Sequence, residues 1–105
     1  MAIYELRTYT FYVGKLKEGL KLYEEMGWPA LTPYKGKLVG YFVGDVGAMN
    51  QLTHMWKFDD EADRRRHWES VYADADFGAF GAKLRPLIQE QQNKLLSPTE
   101  FGPHP

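Results

Sequence analysis

The chain contains no cysteine, which excludes disulfides, a thiolate nucleophile and any zinc site built on thiolates. Serine is nearly absent: Ser70 and Ser97 are the only two, and neither sits in a nucleophile elbow or a Ser-His-acid set. No apolar run approaches the roughly 18–20 residues needed to span a bilayer. There is no excess of either charge, with 13 Lys and Arg against 14 Asp and Glu. That balance leaves no electrostatic footprint for nucleic acid or an anionic membrane. Gly14, Gly19, Gly27 and Gly36 are too dispersed to form a phosphate loop. His54, His67 and His104 share no i, i+4 spacing and no carboxylate at ligand-like spacing, so no metal site is expected.

Aromatic residues, by contrast, are abundant: 3 Trp, 7 Tyr and 6 Phe in 105 residues. A chain of this length forms one domain with a small core. So much rigid apolar area fits extra core, a dimer interface or an aromatic-lined cavity. The segment Met1-Ala2-Ile3-Tyr4-Glu5 enters a strand with no leader-like pattern, and a cytoplasmic address is expected.

Period-2 alternation predicts a first strand over 3–11, with Ile3, Glu5, Arg7, Tyr9 and Phe11 on one face and Tyr4, Leu6, Thr8 and Thr10 on the other. Leu16, Leu20 and Tyr23 recur at helical spacing through residue 26, with Gly27 as the expected C′ residue before Trp28-Pro29. Strands are expected over 37–44 and 50–58, joined by a turn at Asp45-Val46-Gly47-Ala48. A helix over about 60–73 should start at an Asp59 or Asp60 cap. Residues 74–90 read as a short helix, a break and a second helix near 80–90. A fourth strand follows over 91–96, then a tail from Ser97 to Pro105, extended because of its three prolines. The order β-α-β-β-α-β predicts a ferredoxin-like α+β sandwich, an antiparallel sheet with helices on one face. Its other face needs a cover, and a homodimer supplies one.

Tyr4-Glu5-Leu6-Arg7-Thr8-Tyr9 with Gly14, then Gly40-Tyr41-Phe42, Gly47, Asn50-Gln51, His54-Met55-Trp56, Trp68 and Asn93-Lys94-Leu95-Leu96-Ser97-Pro98 with Phe101 together resemble the NIPSNAP family pattern across nearly the whole chain. Val13 stands where many relatives have proline, and Gly102 where serine is common; both are loop positions. The resemblance implies a dimeric α+β barrel, an architecture shared with small oxygenases, isomerases and haem-degrading enzymes. It carries no settled reaction, and eukaryotic relatives are associated with mitochondria and discussed as interaction proteins. In such a dimer the tail, anchored by Phe101, would pack on the partner.

Candidate site residues follow from residue type and face. Arg7 among aromatics is placed to orient an anionic group, unless Glu5 beside it on the same face neutralises it. His54 and Tyr9 are the candidates for acid/base or hydrogen-bonding work; the alternative for His54 is a satisfied, half-buried histidine. Trp56, Trp68, Tyr41 and Phe42 would either stack on a flat ligand or pack as core. Arg64 and Trp68, at i, i+4, are spaced for a cation–π contact, although Arg64-Arg65-Arg66 reads first as a solvated helix face. Three functions fit. One is binding of a small hydrophobic or aromatic molecule, with or without its turnover by cofactor-independent oxygenation or isomerisation. The others are a non-catalytic interaction module and haem held through His54. No other cofactor is expected, and whether the chain is an enzyme stays open.

Overall fold

A computed structural model describes residues 2–105. Strands β1 (Ile3–Phe11), β2 (Leu38–Val43), β3 (Gln51–Phe58) and β4 (Ile88–Leu96) form one antiparallel sheet in the order β2-β3-β1-β4. This is the ferredoxin-like α+β architecture. Pairing of β1 with β3 sets Arg7 opposite His54, Tyr9 opposite Leu52 and Glu5 opposite Trp56, so these six residues share one face. The helices cover that face, which is why β3, and β1 from Glu5 onward, alternate buried with half-buried. Leu6, Thr8, Thr53 and Met55 point the other way and stay partly exposed.

Helix α3 (Glu61–Ala73) begins at an Asp60 cap that accepts from the Asp63 amide, and α4 (Ala75–Leu84) begins at Asp74, which caps Asp76 and Phe77. No break interrupts α4, contrary to the sequence expectation: Gly78 and Gly81 lie inside it, and Pro86 falls in the short 3-10 turn Arg85–Leu87 that follows. The Asp74 cap and the buried face of Phe80, Gly81 and Leu84 outweigh the low propensity of two glycines. Strand β4 starts at Ile88, earlier than residue 91, because a bulge at Thr10/Phe11 brings Ile88 opposite Phe11.

The larger correction concerns the first helix. Helix α1 (Leu16–Leu22) does not stop at Gly27. It passes through a π turn (Tyr23–Gly27) into α2 (Trp28–Leu31) and a 3-10 turn (Thr32–Lys37). Gly27 has φ −70°, an ordinary helical value, so it is not a left-handed terminator. In the widened turn the Trp28 amide donates to the Tyr23 carbonyl. Pro29 then falls in the first turn of α2, where a missing N–H costs nothing. Glycine stands at 27 because a Cβ there would lie 2.5 Å from Cζ of the buried Phe80 ring.

The tail is bent, with Gly102 at φ 88°, and it returns to its own sheet. The Tyr4 hydroxyl donates to the Pro105 carbonyl at 2.7 Å, while Phe101 is 78% exposed. No helix among the described residues is long and apolar enough to cross a membrane.

Gly27→Ala sets two effects against each other. Alanine gains about 1 kcal/mol of helix propensity, but pushing a methyl into a packed ring costs about 1–3 kcal/mol. We expect net destabilisation in urea unfolding, and partial recovery in the double variant Gly27→Ala/Phe80→Leu, which makes room.

Candidate functional site

Glu5 is fully buried on β1, and three donors from two elements answer its charge. Arg7 Nε donates to Oε2 at 2.6 Å, while Arg64 Nη1 and Trp68 Nε1 of α3 donate to Oε1 at 3.0 and 2.9 Å. Burial works to raise the Glu5 pKa, but Arg7, Trp68 and Arg64 outweigh it and hold the carboxyl below its ordinary value. The Arg7 guanidinium lies 3.6 Å from the centre of the Trp68 ring and donates through Nη1 to the Tyr72 hydroxyl at 2.8 Å. Burial opposes its charge too, yet Tyr9, Tyr72 and Glu5 leave its pKa raised.

Arg7 and Glu5 therefore neutralise each other, and Arg7 is not free to orient an anion. The cation–π partner of Trp68 is Arg7, not Arg64. Arg64 instead pairs with Glu61 and Glu5, so only Arg65 and Arg66 keep the solvated position expected for all three.

His54 is buried and stacks on Tyr41, with ring centroids 4.4 Å apart and planes 8° apart; Tyr9 meets it edge-on at 5.0 Å. Trp56 Nε1 donates to His54 Nδ1 at 2.7 Å. The ring proton must then sit on Nε2, which is buried and has no partner among the described residues. Desolvation, helped by the Arg7 charge, lowers its pKa to about 3. His67, which follows the three arginines on α3, is also buried, against Trp56, Phe58 and Trp68. Its Nε2 is likewise unpartnered, and desolvation with Arg7 lowers its pKa to about 4.

Trp56 is fully buried and Trp68 nearly so; both belong to the core cluster with Leu31, Phe58 and Val71. They pack as core and line neither of the two cavities between sheet and helices. The cavities are built by other residues. One of about 490 Å³ lies between α1 and the edge strand β2, lined by Leu20, Tyr23, Glu24, Trp28, Tyr41 and Phe42 among others. Phe42 forms its rim and is 60% exposed. A second, of about 190 Å³, lies towards β4 and takes in Tyr9 and Tyr72. Tyr23 lines both. Desolvation raises the pKa of Tyr9, Tyr23 and Tyr41 alike, so these walls present neutral phenols.

The structure thus sets Tyr41 on the wall of the larger cavity and Tyr9 on that of the smaller, packs His54 against both rings, and leaves Arg7, Glu5, Trp56 and Trp68 in the packed layer. Sequence reasoning missed Tyr23, Trp28, Tyr72, Arg85 and Gln91. Tyr72 had a signal, since it follows Trp68 at i+4 on the face that reaches β1. Tyr23 was read only as helix core. Among the described residues no cluster of three His, Cys, Asp or Glu is placed to hold a metal ion.

A sequence profile of the NIPSNAP family matches residues 4–103. A NIPSNAP family protein of Agrobacterium tumefaciens is 38% identical, with 96% of this chain and 89% of that chain covered and a TM-score of 0.90. The NipSnap protein of Drosophila melanogaster is 26% identical over 104 residues, covering 96% of this chain but 36% of the other. The chain spans less than half the length of the curated relatives it matches. A cofactor-independent oxygenase of Streptomyces nogalater is similar in fold alone, at 14% identity, 98% coverage of both chains and a TM-score of 0.64.

Folded His54 and His67 stay neutral where unfolded histidine, with a pKa near 6.5, takes up a proton. Stability is therefore complete above pH 6.5 and falls as the pH drops towards 4 and then 3, where the folded rings titrate. Urea unfolding should lose about 4 kcal/mol between pH 7 and pH 5. His67→Phe should remove roughly half of that slope, and a flat profile would place a compensating partner on both rings.

Proposed function

The chain belongs to the NIPSNAP family, and from that premise we propose that it binds a small hydrophobic or aromatic molecule between its sheet and its helices. The observation that carries this reading is the cavity of about 490 Å³ over β2, walled by Leu20, Trp28, Tyr41 and Phe42, with Glu24 as its one charged lining residue. Its size and its apolar lining with a few polar groups are those of small-molecule sites.

Turnover by cofactor-independent oxygenation or isomerisation would need a group that removes a substrate proton. His54 is poorly suited to that task, because Nδ1 already accepts from Trp56 and its basicity is strongly depressed. Tyr9 is held neutral by burial. The geometry supports binding ahead of base catalysis, with His54 and Tyr9 as buried positioning groups beneath the ligand. Nor does the site fit a haem: His54 Nε2 has no open surface through which to reach an iron.

A second copy of the chain is the partner we propose for the open sheet face. Leu6 and Met55 are only partly covered there, and Leu96 is 39% exposed. This surface is apolar enough to associate and lacks a helix layer of its own. Sedimentation should give twice the 12.2 kDa chain mass, and Met55→Glu should return it to one chain; a monomeric wild type would remove the proposal. This also keeps open the interaction-module reading, in which the dimer serves a further protein and the cavities stay empty.

A thermal-shift screen against quinones, aromatic acids, lactones and fatty acids tests the binding reading. Ligand at about 100 times its dissociation constant stabilises by about 2.7 kcal/mol. We expect shifts that Leu20→Trp, which fills the cavity, abolishes. A flat screen would favour the interaction module.

A further inference from the structure

The smaller cavity, of about 190 Å³, differs in chemistry from its neighbour. Its floor is apolar, with Phe77, Phe80 and Leu84, and its polar lining includes Tyr72, Arg85 and Gln91. No acidic residue lines it. Arg85 is exposed and forms no ion pair among the described residues. Its guanidinium folds back over the Gly81 turn of α4. Arg7, the cation deeper in the layer, has its charge matched by Glu5. The uncompensated positive charge at this cavity therefore belongs to Arg85.

Tyr72 contributes the second feature. Its ring stacks on Trp68, with centroids 5.7 Å apart and planes 23° apart, and its oxygen accepts from Arg7 Nη1. A hydroxyl that accepts from a guanidinium keeps its own proton for donation, and no described residue takes that proton. Packing and the Arg7 bond hold the oxygen in place, so a ligand need not order it. Two groups suited to bind an anion thus line one cavity whose other walls are largely apolar. A guanidinium and a preorganised hydroxyl favour a carboxylate over a neutral amide of the same shape.

We infer that this cavity binds a small organic carboxylate, of one ring or a short chain, with Arg85 as its counter-ion and Tyr72 as a fixed hydrogen-bond donor. The inference rests on the reading that the sheet–helix space is a ligand site, and it names the chemical class for one end of that space. The apolar part of the acid lies on Phe77, Phe80 and Leu84, and Tyr9 closes the inner wall. The volume is below that of sites for drug-sized molecules, which confines the class to small acids.

Calorimetric titration of the whole protein with benzoate and with benzamide, its neutral analogue, tests this at low salt. Benzoate should bind roughly tenfold more tightly than benzamide, and the gap should close in high salt. Arg85→Gln should bring benzoate down to the benzamide level, whereas Tyr72→Phe should weaken both by roughly fivefold. Equal binding of the two probes would overturn the anion preference while leaving a ligand site in place. A benzoate preference that survives Arg85→Gln would assign the anion to another cation and equally overturn the proposal. If neither probe binds but the screen yields ligands that Leu20→Trp removes, this cavity fails and the larger one stands. If the screen is flat as well, both readings fall together.

Discussion

One carboxylate without solvent organises this structure. An unpaired charge in the position of Glu5 is not sustainable, so its neighbours are prescribed: two guanidinium groups and an indole N–H, from β1 and α3. Those contacts fix the height and rotation of α3 over the sheet. They also turn Arg7 flat against Trp68 and aim its Nη1 at Tyr72. Breaking such a network by removing one partner typically costs 3–5 kcal/mol, whereas an apolar substitute of equal shape can be neutral. Stability alone therefore does not explain it. What the ions supply is a single arrangement of Arg7, Trp68 and Tyr72.

The fold was legible where period and capping agreed. Strand β1 alternates from Glu5 to Phe11, and Asp60 falls where a helix start needs an acceptor. It was illegible where long-range packing overrode a local signal. Gly27-Trp28-Pro29 looks like a stop signal, yet the chain continues as helix because Phe80, 53 positions away, needs a residue without a side chain beneath it. The same applies to the candidate site. Alternation put Arg7 and Tyr9 on one face of the first strand, but which of them was already engaged depended on α3. Nothing in Arg64-Arg65-Arg66-His67 shows that the first arginine turns inward to Glu5 or that the histidine joins the core. Arg85 beside Pro86 carried no signal at all until α4 placed it over a cavity.

The family supplies the architecture, and its likeness to a cofactor-independent oxygenase extends to the fold alone. Folds of this kind host unrelated chemistries, so function has to be argued from the side chains. Here those side chains form neutral phenols, two depressed imidazoles and an internally matched ion network. Few of these groups are ready to exchange protons near neutral pH.

The π turn that carries Tyr23 has one further implication. Its ring is a shared partition, facing the larger cavity on one side and the smaller on the other, and it packs edge-on to Tyr41 and Phe80. Rotating such a partition enlarges one compartment at the expense of the other. If the proposed ligand sites are both filled through movement of Tyr23, their occupancies are linked: each ligand changes the other's affinity by the same factor.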